Sequence, residues 1–498
     1  MRFYRAILAS GATALALTSC TSTGYGDPIT AGDTVTAQPV TPQARQQGQA
    51  AYGEIVKEFG GLYAEGNEAG YVTAVGRKIA VQSGLANSES AYTVSLLNSP
   101  VNNAFATPGG YVYITRQLVA LANDEAEMAG VLGHEVGHVA ANHAGDRKSA
   151  QTKAGLAGVL GQVLGGFLGN NGGILGSLGG AIQKYAPAAA QFYTLSYSRG
   201  QEEEADDLGV RYLSQAGYDP VALSDMLASL AAQTAIDQRA AGQDARSVPE
   251  WASTHPDPAR RVVRSRQVAQ TYAPGGIRNR DQHLAAIDGI LYGDDPHQGV
   301  IEGRTFLHPD LGLRFSVPQG YGMSNSANAV SIQGQNGQAQ FATASFNGDL
   351  QSYIATALRS VAGDTQLQAG QLQRTTVNGI PAAYQTARAA TQNGQVDVTV
   401  FAYQFSGTQA YHFVTLTPAG SNPFGPMFQS LSRLSAADAA QIKPRRIDVV
   451  TAQSGDTATS LARRMAYDNL QTERFMALNG LAGNAGLQAG QRYKIVTY

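Results

Sequence analysis

Two histidines and a glutamate stand at a spacing suited to metal-dependent hydrolysis in the stretch GVLGHEVGHVAANH, residues 130–143. Because each residue of an α-helix turns by about 100°, His134 and His138 lie about 40° apart and can bind one metal ion together. Glu135 lies beside that face, where it can act as general base on a metal-bound water. The same arithmetic turns His143 about 180° away from His134 and excludes it as a ligand.

These residues need a helix to hold them and a third ligand from elsewhere in the chain. The stretch NDEAEMAGVLGHEVGHVAANHAGD is typical of one helix, with Asp124 as its N-cap. The stretch SRGQEEEADD, residues 198–207, predicts a second helix capped by Ser198. On that helix Glu202 and Asp206 share one face, so Glu202 can ligate the metal while Asp206 holds a histidine N–H. The alternative interpretation of these acids is a solvated first turn favoured by the helix dipole.

The pair of motifs HEVGH and EEEAD resembles the HExxH and ExxAD pattern of gluzincin zinc metallopeptidases of the CAAX prenyl protease and HtpX type. The resemblance implies a zincin-like fold and one zinc ion per chain. It makes His134, His138 and Glu202 the metal ligands, and it makes Glu135 the catalytic base.

Two further stretches resemble the same family. The segment NNAFATPGGYVYITRQLV, residues 102–119, is similar to the family's NAFALPGG segment and predicts a Gly-Pro turn followed by a strand. An exposed strand edge there would bind an extended peptide by backbone pairing, although a core hairpin is an equal alternative. The candidate substrate contacts are Asn103, Ala104, Phe105, Gly109, Gly110 and Tyr111.

The segment WASTHPDPARR, residues 251–261, resembles the STHP segment of the soluble periplasmic lipoprotein branch of the family. His255 is therefore a candidate catalytic residue, as a fourth ligand, a transition-state donor or a switch that occupies the water position. The alternative is a loop anchor near the site.

The N-terminus has the pattern of an export signal. Residues 1–20 combine Arg2 and Arg5 with a short apolar run and end in LTSC, which resembles a bacterial lipobox. Cys20, the only cysteine of the chain, is then the lipidation site, and the alternative is a plain signal peptide with a stray cysteine. The residue after it is Thr21 rather than aspartate, which favours a periplasmic protein anchored to the outer membrane as a lipoprotein.

Composition and pattern divide the 498 residues into several domains. Acidic and basic residues nearly cancel, 37 against 35, and no long run of either sign predicts a nucleic-acid partner. We expect a multidomain chain whose segments are a flexible linker at 21–48, a mainly α metalloprotease domain with a small sheet at 49–290, an α+β domain at 300–440 and a βααβ domain at 446–498. The uncharged, glycine-rich segment 155–183 is too short in each half to span a membrane, so we expect a packed helical hairpin or a lid.

The last two domains give weaker indications of function. Residues 300–440 resemble sandwich domains of the PsbP/Mog type in pattern only, and nothing in them carries chemistry. Residues 446–498 resemble a LysM module through SGDT, LNGL and AGQRYKI. That resemblance implies binding of peptidoglycan, and a purely structural unit is the alternative.

Together these features predict a zinc-dependent endopeptidase of the bacterial cell envelope. Its substrates would be unfolded, misfolded or misassembled envelope proteins, and a lipid anchor would hold it at the membrane. A cell-wall-bound chaperone or scaffold with a silenced protease is the alternative, and hydrolysis of peptidoglycan peptides is a third.

Overall fold

A computed structural model describes residues 28–33, 35–85, 88–144, 197–241, 255, 258–326, 329–362, 367–391, 394–483 and 485–498. The predicted signal peptide with Cys20 and the predicted glycine-rich hairpin at 155–183 lie outside these residues. Within the described parts of the chain, no helix has the length and apolar character needed to cross a membrane.

Before residue 290, the described residues form mainly helices around a small sheet. The helices are α1 (Pro42–Glu58), α2 (Glu68–Ala80), α3 (Ser88–Ala91), α4 (Arg116–Leu121), α5 (Glu125–Ala140), α6 (Arg199–Gln215), α7 (Ala222–Ala241), α8 (Pro258–Ala269) and α9 (Arg280–Ile287). The sheet contains β1 (Thr93–Leu97), β2 (Ala104–Thr107) and β3 (Tyr111–Thr115). The strand order is β1-β3-β2, with β1 parallel and β2 antiparallel to β3.

The segment predicted as a flexible linker, 21–48, is structured over much of its length. Helix α1 begins at Pro42, and proline is well suited to the first helical position. Ile29 is buried, and its N–H donates to Asp207 Oδ2 at 2.9 Å. The N–H of Gln38 donates to the last carbonyl of α5 at 2.7 Å. The linker prediction is therefore wrong for the helical residues 42–48, and residues before them are hydrogen-bonded to α5 and α6.

Helices α5 and α6 begin where the sequence predicts. The side chain of Asp124 accepts the N–H of Glu127 at the start of α5. Ser198 and Gln201 form a complete capping box at the start of α6. Helix α5 ends at Ala140, earlier than predicted, because the chain reverses immediately afterwards.

Small residues let α5 and α6 approach each other closely. A Cβ atom on Gly137 would lie 3.2 Å from the carbonyl oxygen of Ala205, and one on Gly209 would lie 3.1 Å from the backbone nitrogen of His134. Both contacts are tighter than side chains normally accept, so glycine at these positions brings the two predicted ligand helices together.

The middle of the chain, predicted as an α+β domain at 300–440, contains antiparallel strands and helices. After β4 (Leu291–Tyr292), its strands are β5 (Val300–Glu302), β6 (Thr305–His308), β7 (Leu313–Ser316), β8 (Gly322–Asn325), β9 (Ala329–Gly334), β10 (Gly337–Thr343), β11 (Gln368–Ala369), β12 (Gln373–Val377), β13 (Ile380–Thr391), β14 (Gly394–Gln404), β15 (Ala410–Pro418) and β16 (Ser432–Arg433). Its helices are α10 (Leu350–Ala362), α11 (Gly425–Ser430) and α12 (Ala436–Ala439).

Two sheets build this domain. One sheet has the order β11-β13-β14-β15-β10-β9-β8, with β12 also paired to β13, and the other has the order β16-β7-β6-β5. Helix α10 packs on β13 and β14, and aromatic side chains of both sheets fill a separate core.

The C-terminal part has the predicted βααβ order, with β17 (Arg445–Thr451), α13 (Ala458–Ala462), α14 (Gln471–Leu478) and β18 (Arg492–Thr497). Strand β17 pairs with β18 and also with β4, so one three-stranded sheet crosses from this unit to the end of the peptidase region. The buried ammonium of Lys494 donates to the carbonyls of Ala120, Leu121 and Ala122 at 2.7–2.9 Å. The C-terminal unit and the peptidase region therefore share one hydrophobic core.

Candidate metal centre

Four buried side chains converge at one point, two from α5, one from α6 and that of His255. They are His134, His138, Glu202 and His255, whose ligand atoms all lie within 4.8 Å of one another. His134 Nε2 lies 3.0 Å from His138 Nε2 and 3.2 Å from His255 Nδ1. His255 Nδ1 lies 3.0 Å from Glu202 Oε1. The three predicted ligands and the candidate His255 thus meet at one point.

The chemistry of this cluster fits a metal cation. Imidazole and carboxylate are the ligand types that zinc prefers. Both carboxylate oxygens of Glu135 are buried and have no hydrogen-bond partner within the part of the chain that the structure describes. Glu135 Oε1 lies 3.6 Å from His255 Nε2, at the edge of the cluster. A buried carboxylate without a hydrogen bond, beside three converging imidazole nitrogens, fits a site for a metal cation and a water molecule.

Asp206 makes the contact that the sequence predicts for it. Its Oδ1 atom lies 2.9 Å from His134 Nδ1 and accepts that N–H when Nε2 faces the cluster. Sequence reasoning missed the partner of this carboxylate. Arg261 donates to both oxygens of Asp206 at 2.7 and 2.6 Å, and its Nη1 lies 2.6 Å from Glu202 Oε2. One buried guanidinium therefore joins a candidate metal ligand to the residue that orients another.

The protonation states of Glu202 and His138 suit metal binding. Burial raises the pKa of Glu202 by itself, but the charges of His255 and Arg261 outweigh it and hold that pKa well below the ordinary value. Burial lowers the pKa of the His138 imidazole well below its ordinary value. A carboxylate and a neutral imidazole are the forms that ligate a metal. Burial raises the pKa of Glu135, in the direction expected of a general base working near neutral pH.

The outer side of His138 contacts Tyr197 and also His143, which the helical arithmetic placed elsewhere. Because α5 ends at Ala140 and Asn142 adopts a φ of 55°, the chain turns back, and His143 Nδ1 comes to 2.8 Å from His138 Nδ1. The ring of Tyr197 stacks on His138 with 3.7 Å between centroids. His143 is outside the four-residue cluster, as predicted, but the predicted direction of its side chain is wrong.

The candidate substrate segment forms β2 and β3. The predicted exposed edge is not β3, which lies between β1 and β2 and is buried along its whole length. Strand β2 is the edge, and its four residues are buried as well. The N–H of Thr115 donates to the carbonyl of Asn103, so in the alternating antiparallel pattern Ala104 and Ala106 direct their backbone polar groups away from β3.

Packing accounts for four of the six candidate substrate residues. Phe105 and Tyr111 belong to a core cluster with α1, on the sheet face opposite α5. A Cβ atom on Gly109 would lie 2.6 Å from Arg45 Cα, and one on Gly110 would lie 2.0 Å from a carbonyl oxygen of α3. Substrate contact remains a prediction for Asn103 and Ala104, at the start of β2.

Comparison with known proteins agrees with this geometry. Residues 67–269 match the family described as Peptidase family M48, and residues 450–495 match the LysM domain. The beta-barrel assembly-enhancing protease of Yersinia pestis is 31% identical over 233 residues, which cover 45% of this chain and 44% of that protein. The mitochondrial metalloendopeptidase OMA1 of Schizosaccharomyces pombe is 28% identical over 220 residues, 44% of this chain and 58% of that protein. The chain therefore spans less than two thirds of either relative.

A solved structure also matches part of the chain. The solution structure of cyanobacterial PsbP from Synechocystis sp. PCC 6803 has 10% sequence identity and a TM-score of 0.22, over 26% of this chain and 91% of that one. This score is too low to assign the fold of the middle domain.

The M48 match, in contrast, contains the whole cluster and both of its helices. The cluster thus lies in the part of the chain that matches Peptidase family M48, residues 67–269, and the C-terminal unit matches the LysM domain at residues 450–495.

Proposed function

We propose that this protein is a zinc-dependent endopeptidase of the bacterial cell envelope that cleaves misfolded or misassembled periplasmic and outer-membrane proteins. The observation that carries the proposal is the buried carboxylate of Glu135, which accepts no hydrogen bond from the described residues, beside the cluster of His134, His138, Glu202 and His255. The names of the relatives, an assembly-enhancing protease and a metalloendopeptidase, support the reaction class and the envelope setting.

The chain's own residues have separable tasks in peptide hydrolysis. His134, His138 and Glu202 would hold one zinc ion, which when bound supplies Lewis-acid polarisation and a lowered pKa for water. Glu135 accepts the proton of the attacking water and passes it to the leaving amine, since neither of its oxygens accepts a hydrogen bond from the described residues. Asp206 fixes the tautomer of His134 by accepting its Nδ1–H. The outer edge of β2 offers backbone groups at Ala104 and Ala106 for pairing with an extended peptide.

The experiment uses the chain from Thr21 onward, without its lipid. Zinc content by elemental analysis and cleavage of an unfolded protein are measured for the wild type, Glu135→Gln and Glu203→Gln. We expect one zinc per chain in all three proteins. Cleavage should fall by at least about a hundredfold in Glu135→Gln only, because Glu203 is paired with Arg260 outside the cluster. Absence of zinc, or cleavage that is indifferent to Glu135, would refute the mechanism.

One observation favours the second function, a chaperone or scaffold with a silenced protease. Catalytic zinc sites keep an open position, whereas His255 lies within hydrogen-bond distance of both His134 and Glu202. A fourth protein ligand there would exclude water. Cleavage by His255→Ala distinguishes the two: increased cleavage supports a switch that silences the wild type, and abolished cleavage supports a transition-state donor.

We also propose that the protein is anchored to the periplasmic side of the outer membrane through a lipid on Cys20, and that the LysM domain binds peptidoglycan. The lipobox-like LTSC and the LysM match support these two proposals. Membrane fractionation of the wild type and Cys20→Ala tests the anchor, and cosedimentation with purified sacculi tests the glycan binding. Release of peptides from those sacculi would instead support the third function, hydrolysis of peptidoglycan peptides.

A further inference from the structure

A short hydrogen-bonded chain leads from the metal cluster to the protein surface through His143. His138 Nδ1 lies 2.8 Å from His143 Nδ1, and His143 Nε2 lies 3.3 Å from Glu204 Oε2. The His143 side chain is 1% exposed, whereas that of Glu204 is 33% exposed. Nothing in the M48 motif residues or in the mechanism above uses these two groups.

The hydrogen bonds from His138 through His143 to Glu204 have one consistent arrangement of protons when His138 Nε2 faces the cluster. A neutral imidazole has one N–H and one lone pair, so a lone pair on His138 Nε2 leaves the proton on Nδ1. That proton is donated to His143 Nδ1, because two ring nitrogens 2.8 Å apart need one donor and one acceptor. The remaining proton of His143 then lies on Nε2, where the carboxylate of Glu204 accepts it. Each ring nitrogen of His138 and His143 is then either a donor or an acceptor.

The local backbone is arranged to produce this contact. Continued helix after Ala140 would carry His143 away from His138, as the sequence arithmetic predicts. Instead Asn142 adopts a left-handed conformation, with φ of 55°, which asparagine tolerates better than most residues. Glu204 is held two residues after Glu202 on α6, a helix fixed against α5 by the close glycine contacts.

From these contacts we propose that His143 and Glu204 are positioning residues for the metal site: they fix the tautomer and ring orientation of His138 so that its Nε2 lone pair points at the metal. The inference rests on the proposed zinc peptidase function. Partners of this kind typically contribute 10–100-fold to metal affinity. They act through His138 and lie outside the four-residue cluster.

The test measures zinc affinity by competition with a chromophoric chelator, on the chain from Thr21 onward at neutral pH. His143→Phe removes both ring nitrogens and should weaken zinc binding by about 10–100-fold. His143→Gln keeps one acceptor and one donor and should recover most of that loss. Glu204→Gln should weaken binding by a smaller factor, because an amide oxygen accepts more weakly than a carboxylate. Glu203→Gln is the matched control, because Glu203 is next to Glu204 in the sequence but pairs with Arg260. The zinc affinity of this variant should stay within twofold of the wild type.

A second readout separates metal orientation from general stability. The cobalt(II)-substituted protein should change its visible absorption spectrum in His143→Phe and regain it in His143→Gln. Melting of the metal-free proteins identifies any variant that does not fold, and in that case the comparison of Glu204→Gln with Glu203→Gln decides.

Zinc affinity of a folded His143→Phe within twofold of the wild type would overturn the positioning role, as would equal weakening in the Glu204 and Glu203 variants. If the wild type binds zinc and cleaves protein in those experiments, the proposed function survives the loss of this inference. If the wild type binds no zinc, both fail.

Discussion

Arg261 offers a sharp test of how the metal site is held together. Its guanidinium is 4% exposed and lies within 2.6–2.7 Å of carboxylate oxygens of Asp206 and Glu202. Arg260, the preceding residue on α8, pairs with Glu203, but its side chain is 57% exposed. The change Arg261→Met therefore removes the guanidinium that pairs with two buried carboxylates, whereas Arg260→Met removes one surface ion pair.

The two changes differ in expected magnitude. Removing one partner of a buried ion pair typically costs about 3–5 kcal/mol, because the remaining charge is left uncompensated. An exposed pair contributes about 0–1 kcal/mol. We therefore expect Arg261→Met to lower the free energy of unfolding of the metal-free protein by at least about 3 kcal/mol, and Arg260→Met to change it by less than about 1 kcal/mol. Arg261→Lys keeps the charge but loses the bidentate geometry, so its loss should be intermediate.

The assay is urea unfolding followed by circular dichroism, first without metal and then with excess zinc. The loss in Arg261→Met should be smaller with zinc, because a bound cation also balances the charge of Glu202. A metal-free Arg261→Met protein within about 1 kcal/mol of Arg260→Met would refute this account of the site. If Arg261→Met has no folded state, Arg261→Lys provides the measurement, and a stability equal to that of Arg260→Met would refute the account in the same way.

Burial lowers the pKa of His283 to about 3. As the pH falls, the unfolded protein therefore binds this proton before the folded protein does, and the free energy of unfolding should fall by ~2 kcal/mol from pH 6.5 to pH 5. His283→Gln should reduce this pH dependence, measured by urea unfolding at both pH values. Gly110 has a φ of 84°, and an added Cβ would lie 2.0 Å from the Ala91 carbonyl oxygen, so Gly110→Ala should cost more than ~2 kcal/mol. An added Cβ on Gly53 of α1 has no atom within 4 Å, so Gly53→Ala should raise the free energy of unfolding by ~0.5–1 kcal/mol. Melting temperatures check both glycine changes. Lys494→Met should lower the melting temperature. Calorimetry should still show one transition for the peptidase and LysM domains, because they share one hydrophobic core, and two separate transitions would contradict this.

Local signals predicted the elements that hold the site. The caps of Asp124 and Ser198 and the ligand spacing on α5 and α6 depend on residues within one or two turns, so the sequence alone contains them. The βααβ order of the C-terminal unit was predicted from the resemblance of SGDT, LNGL and AGQRYKI to a LysM module.

The residues that were missed depend on contacts between distant parts of the chain. Arg261 reaches Asp206 across 55 positions, and no spacing rule connects them. His143 depends on the left-handed conformation of Asn142, which residue type permits but does not require. The segment 28–48 has the composition of a linker, but it is held by hydrogen bonds such as that of Ile29 to Asp207.

The three-stranded sheet formed by β4, β17 and β18 limits how the LysM domain can move. A binding module on a flexible tether lets its enzyme sample a sphere of substrate positions, with an effective concentration set by tether length. Here strand pairing and the buried Lys494 leave no such tether between the module and the peptidase. If the LysM domain binds the cell wall, as proposed, the wall would hold the active site at one orientation and one distance. Whether a misassembled protein is cut would then depend on where it lies relative to the wall as much as on its sequence.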